Sequence, residues 1–133
     1  KTIFVTPGSG SDKPHFQDTD MIPIHLDGTP LDGKTLPPVE WPIHTALHRA
    51  RTDALAVAHL HTPYATLFSI ARREFHPVTL QGTIFGEGVP LYKEAHLVTT
   101  TQRGDNLLKT MSDHRAVLMR GRYSMYLTRR FTT

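Results

Sequence analysis

The chain has 133 residues, enough for one domain that buries about two-thirds of its unfolded surface, with 38% hydrophobic and 20% charged residues. It contains no cysteine, which excludes disulfide scaffolds, thiolate-held zinc, iron–sulfur clusters and cysteine nucleophiles, and fits a reducing cytosol. The net charge of +3 is uneven: residues 1–102 carry 8 Lys/Arg against 10 Asp/Glu, and residues 103–133 carry 7 against 2. This basic end reads as a solvated face rather than a nucleic-acid surface, because no RNA-binding aromatic motif or zinc-finger spacing accompanies it. No apolar run exceeds five residues, too short to span a membrane. The chain opens on Lys1 without a Met or a signal-peptide apolar region, which reads as an internal or processed start.

In chain order, the β-branched and aromatic residues 2–6 predict a strand, and Pro7-Gly8-Ser9-Gly10-Ser11 a loop that stops it. Residues 21–25 predict a second short strand, with Pro23 favouring an edge. Asp27-Gly28-Thr29-Pro30 and Asp32-Gly33 are turn sequences. Pro37-Pro38 is expected to open a helix to about Arg51, with Trp41, Thr45 and His48 near one stripe and Ile43, Leu47 and Ala50 on the next. Residues 55–61 are apolar on both faces apart from their histidines and predict a central, covered strand. Thr62 as N-cap and Pro63 start a second helix, with Tyr64, Leu67, Phe68 and Ala71 as its apolar stripe. Residues 78–85 and 95–99 predict strands around a Gly86-Glu87-Gly88 turn, residues 102–111 a helix, and residues 115–120 a short buried strand. Strands alternating with helices, without an internal repeat, predict a layered α/β fold and a single domain over residues 1–133.

Nine histidines stand at positions 15, 25, 44, 48, 59, 61, 76, 96 and 114. His59 and His61 share one strand. Side chains two apart on a strand leave the same face, with Cα atoms roughly 6.5–7 Å apart, so two imidazoles can converge on one divalent ion. A lone His-x-His is otherwise a pair of ordinary structural histidines. Glu40 falls at a helix start, where the helix dipole favours a carboxylate whether or not it does chemistry. His44 and His48 follow on its face, as a second metal stripe or, more simply, as a helix-orienting and a surface residue.

Taken together, Glu40-Trp41-Pro42-Ile43-His44 and Ala56-Val57-Ala58-His59-Leu60-His61-Thr62 resemble the Glu-Trp-x-x-His and Val-Val-His-x-His-Ser/Thr motifs of the class II aldolase/adducin family. The likeness extends to Phe4-Val5-Thr6-Pro7, Asp27-Gly28, Gly86 with Val89-Pro90, and residues 115–121 in the same order. The resemblance implies a three-layer α/β/α domain with a central mixed, largely antiparallel sheet, in a cytoplasmic homotetramer that binds neither nucleic acid nor membrane. It implies a divalent metal, zinc first and Mn, Co or Mg as alternatives, held by His59 and His61, with Glu40 as the acid/base residue. It implies carbon–carbon cleavage of aldolase or decarboxylase type, through an enolate that the metal stabilises.

Two departures matter. The family's third metal histidine follows Arg-Gly, where this chain has Arg122 after Arg120-Gly121. Arginine does not ligate metals, so either the site is degenerate, as in an adducin-like binding module, or a segment is missing after Gly121. We take the gap, with the family's N-terminal helices missing as well. Residues 122–130 resemble the family's C-terminal helix, although their alternation also allows a strand. Pro38 and Val39 stand where sugar-phosphate members carry serines, and neither offers a hydroxyl. The expected substrate is therefore a small non-phosphorylated hydroxy- or keto-acid. Ser9, Gly10 and Tyr64 are candidate substrate contacts, and Ser9, Gly10 and Ser11 could alternatively hold a phosphate.

Overall fold

The structure, a computed structural model, describes residues 1–7, 15–73 and 75–120, and the backbone of residues 124–129. The chain divides into two compact units: Lys1–Thr52 with Val98–Gly104, and Asp53–Leu97 with Asp105–Thr133.

In the first unit, strands β1 (Thr2–Val5) and β2 (Ile22–His25) pair antiparallel, with Thr2 opposite His25 and Val5 opposite Ile22. Alternation buries Ile3, Val5, Ile22 and Ile24, against which Leu26 and Trp41 pack. Pro23 lacks an N–H and is tolerated because a two-stranded sheet has only edges. The turn after β2 is held by the Asp27 carboxylate, which accepts the Thr29 N–H at 2.9 Å, a bond that lowers the Asp27 pKa. Gly28 there has φ +89°, and a Cβ on it would meet the Trp41 ring at 2.5 Å, so both the backbone and the space demand glycine. The next turn is tied by Asp32, which accepts the Thr35 hydroxyl and the Lys34 and Thr35 N–H groups; these bonds lower its carboxyl to about 2.

Helix α1 is Trp41–Ala50 with Glu40 as N-cap, so Pro37-Pro38 precede the helix rather than open it. The proline at its start is Pro42, and the Trp41 N–H bonds the Pro38 carbonyl instead. The helix buries Ile43, Thr45, Ala46 and Leu47.

In the second unit, β3 (Ala56–Leu60), β4 (Leu91–Tyr92), β5 (Ala116–Met119) and β6 (Ser124–Arg129) form one sheet in the order β3-β6-β5-β4. β6 runs antiparallel to β3 and β5, and β4 runs parallel to β5. All four residues of β5 are buried. Ala65, Val89, Ala116 and Leu118 form a cluster with Phe75, Phe85 and Leu91, and Phe75 meets both Phe68 and Phe85 edge-on at 5.6 Å. Helix α2 is Pro63–Ala71. Helix α3, Thr101–Met111, has its first four residues in the first unit and the rest in the second, and buries Leu107 and Met111.

Several expectations are corrected. β3 is not central: among the described strands it ends the sheet order, and Ala56 and Leu60 are exposed. Of the stripe Tyr64, Leu67, Phe68 and Ala71, only Phe68 reaches the cluster, through Phe75, while the other three are exposed and α2 buries Ala65, Thr66 and Ser69 instead. Small residues let the helix lie close on the sheet, which overrides the apolar periodicity. Leu80–Phe85 is a 3-10 helix rather than a strand, capped by the Thr79 hydroxyl accepting the Gly82 N–H. Residues 95–99 join no sheet. Residues 124–129 are a strand, not a helix, because β3 and β5 offer ladder partners on both sides. The described strands form two small sheets, of two and four strands.

Candidate functional site

β3 delivers His59, and the next extended residues deliver His61 before α2 begins. The i, i+2 geometry puts both rings on one side: their centroids are 4.8 Å apart at 29°, and their Nε2 atoms lie 3.1 Å apart. Two neutral imidazoles of complementary tautomer can share a proton at this distance. It is also a spacing suited to an ion, since two ligands at about 2.0–2.1 Å, separated by an angle of about 90–110°, sit about 2.9–3.4 Å apart. The pair therefore fits a divalent metal as two of its ligands. Among the described residues no group of three His, Cys, Asp or Glu could hold one. Arg122, which follows Arg120-Gly121, lies outside the described residues.

Thr62 is extended (φ −92°, ψ 137°), and its carbonyl accepts both the N–H (3.1 Å) and the hydroxyl (2.8 Å) of Thr66. Pro63, with no N–H to leave unpaired, takes the first helical position. Tyr64, in that first turn, is 80% exposed.

Glu40 belongs to the first unit. Its side chain does not cap α1. Oε1 instead accepts the N–H of Val98 at 3.1 Å, and Val98 is fully buried. The carboxylate therefore satisfies a buried donor from a distant segment, a role that the helix dipole does not account for. His44, four residues on, is held neutral: burial, and then the nearby His48, lower its pKa to about 4. His48 is half-buried rather than a surface residue. Glu40, His44 and His48 do not make a metal-ligand group.

Of the sequence candidates, the structure brings His59 and His61 together and places Glu40 in the other unit. Ser9, Gly10 and Ser11 lie outside the described residues. Sequence reasoning missed Val98, whose contribution is a backbone N–H and leaves no side-chain signal. It also missed two open clefts of the second unit, of about 510 and about 620 Å³. Arg72, Arg73, Lys93 and Arg120 line the larger, and neither cleft includes His59 or His61. Among the described residues no helix is long and apolar enough to cross a membrane.

The chain is similar to known proteins along most of its length. It is 33% identical to 3,4-dihydroxyphthalate decarboxylase of Rhodococcus jostii (strain RHA1) over 117 residues, covering 80% of this chain and 48% of that protein. It is 32% identical to L-fuculose phosphate aldolase of Methanocaldococcus jannaschii over 83 residues, 62% of this chain and 44% of that protein. Among solved structures, an L-fuculose 1-phosphate aldolase superposes with a TM-score of 0.85 at 25% identity, covering 98% of this chain and 60% of that one. The chain thus spans about half the length of the curated relatives it matches. Residues 1–122 match the family described as Class II Aldolase and Adducin N-terminal domain, and the chain belongs to that family.

Proposed function

We propose that this chain is the core of a divalent-metal-dependent carbon–carbon lyase, of decarboxylase or aldolase type, acting on a small non-phosphorylated organic acid. The observation that carries the reading is the 3.1 Å approach of the His59 and His61 Nε2 atoms at the end of a strand. Relatives named as decarboxylases, and Pro38 and Val39 in place of hydroxyl-bearing residues before Glu40, support the non-phosphorylated substrate. Decarboxylation of an aromatic dihydroxy acid such as 3,4-dihydroxyphthalate is the first reaction to assay.

His59 and His61 would hold the ion, zinc first, which when bound supplies an electrophile that draws electron density from the reacting carbon. Glu40 is the proton carrier. Its Oε1 is held by the Val98 N–H, and we assign the proton to Oε2. In a decarboxylation the bond to the carboxyl carbon breaks, carbon dioxide leaves, and the electron pair stays on the substrate carbon, where Glu40 delivers the proton. In an aldol cleavage the same carboxyl exchanges a proton with the departing fragment. Tyr64, Ser9 and Gly10 are assigned to the substrate. We take residues 1–133 as one domain with the layered fold of the family, in a cytoplasmic homotetramer. Metal analysis of the purified full-length protein, with carbon dioxide release from 3,4-dihydroxyphthalate and aldol cleavage of L-fuculose 1-phosphate as parallel assays, tests the reading. A protein that binds no divalent metal and releases no carbon dioxide refutes the reading, and cleavage of L-fuculose 1-phosphate refutes its non-phosphorylated substrate.

A further inference from the structure

We propose that Gly104 and Val98 form a positioning device for the Glu40 carboxylate, an inference that rests on Glu40 being the proton carrier. Gly104 lies in the first turn of α3 with ordinary helical backbone, where alanine would be the better helix former. What demands glycine is space. A Cβ at position 104 would stand 2.7 Å from the Pro42 carbonyl oxygen and 3.1 Å from the Ala46 Cβ, so α3 starts directly against the first turns of α1. The Pro42 carbonyl has little freedom to retreat, because it accepts the hydroxyl of the buried Thr45.

Short bonds relay this contact to Glu40. Thr100 takes the Gly104 N–H on its carbonyl (3.0 Å) and the Arg103 N–H on its hydroxyl (3.3 Å), fixing the segment that runs back to Val98. The Val98 N–H bonds Glu40 Oε1, and the Glu40 carbonyl accepts the Ile43 N–H (3.1 Å) in the same turn that carries Pro42. Gly104 therefore sets the gap between the turn that holds the carboxylate and the segment that holds its oxygen. A methyl group at 104 widens that gap, lengthens the Val98–Glu40 bond and lets the carboxylate swing away from its working direction. Gly104 and Val98 touch no substrate in this account. They act through Glu40.

The test is Gly104→Ala in the full-length, metal-loaded protein. Turnover of 3,4-dihydroxyphthalate is read alongside the Val98 amide by TROSY NMR and hydrogen exchange. Gly33→Ala is the control: it strains an αL backbone (φ +66°) in the same unit with nothing within 4 Å of the new methyl. The expected result for Gly104→Ala is a kcat about tenfold lower with KM within about twofold, since small misplacements of a reacting group cost rate rather than binding. The Val98 amide proton should move upfield and exchange faster, and Gly33→Ala should leave both readouts in place. An unmoved Val98 amide in Gly104→Ala overturns the proposal, as does a Gly33→Ala protein showing the same two changes. A shifted amide with unchanged kcat overturns the proposal, and Glu40→Gln then separates it from its premise: a loss of about 10²–10⁴ in kcat keeps Glu40 as the proton carrier, and wild-type turnover removes it. Should Gly104→Ala fail to fold, Glu40→Ala decides the contact: an unshifted Val98 amide in that variant overturns the proposal, and an upfield shift supports it.

Discussion

Replacing Glu40 by glutamine and by alanine separates its chemistry from its structural work. The carboxylate accepts the N–H of Val98, a residue with no exposed surface, so this donor cannot turn to water. Glutamine keeps an acceptor oxygen at the same reach. It loses only the charge assistance and the attraction of a carboxylate to the start of α1, together about 1 kcal/mol or less. Alanine leaves the N–H buried and unpaired, which costs about 1–3 kcal/mol. Urea unfolding should therefore rank the proteins wild type, Glu40→Gln, Glu40→Ala, with a shifted midpoint at unchanged slope. Turnover should follow a different order. Both variants should lose about 10²–10⁴ in kcat, because neither carries an ionisable group. A solvent deuterium isotope effect on the wild-type rate shows whether the proton delivered by Glu40 limits turnover. Equal stability of the two variants would refute the hydrogen-bond assignment. Wild-type turnover in Glu40→Gln would remove Glu40 from the chemistry.

His59→Ala and His61→Ala should each abolish stoichiometric Zn²⁺ or Mn²⁺ binding by calorimetry while the far-UV spectrum is kept, since a two-histidine contribution with one member removed holds little; unchanged metal content in both would overturn the ligand assignment. Gly28→Ala should destabilise the first unit by roughly 2–5 kcal/mol, from the αL backbone cost together with overpacking against the Trp41 ring, and should shift Trp41 fluorescence; wild-type stability would show that the turn and ring can move apart. His44 should make stability fall with acid: its folded pKa of about 4 lies below the unfolded 6.5, so the unfolded chain binds the extra proton and stability drains as pH drops from 6.5 toward 4. The slope in that window should reach at most about 1.4 kcal/mol per pH unit and flatten in His44→Phe, read from urea midpoints at pH 4.5, 5.5 and 7; an unchanged slope would refute the desolvation of this half-buried imidazole.

Elements whose signals lie within a few residues were legible without coordinates. The alternating apolar residues of β1 and β2, the Asp-Gly turns, the Pro63 helix start and the continuous apolar run of β5 each follow from local sterics and short-range bonds, although the Thr62 side chain makes no cap bond. The His59-x-His61 spacing likewise carried its own geometry, because the period of a strand is two wherever the strand lies. Other features depended on partners far along the chain. Residues 124–129 satisfy both a helical stripe and an alternation, and only pairing with β3 and β5 selects the strand. The exposure of Tyr64 and Leu67 on α2 shows that helix burial follows which face can approach a sheet, and here Ala65, Thr66 and Ser69 approach more closely than Leu67 would. Glu40 reads from sequence as a helix-start carboxylate. Only the tertiary structure gives it the Val98 N–H as its partner, because a backbone donor fifty-eight residues away has no residue type to announce it.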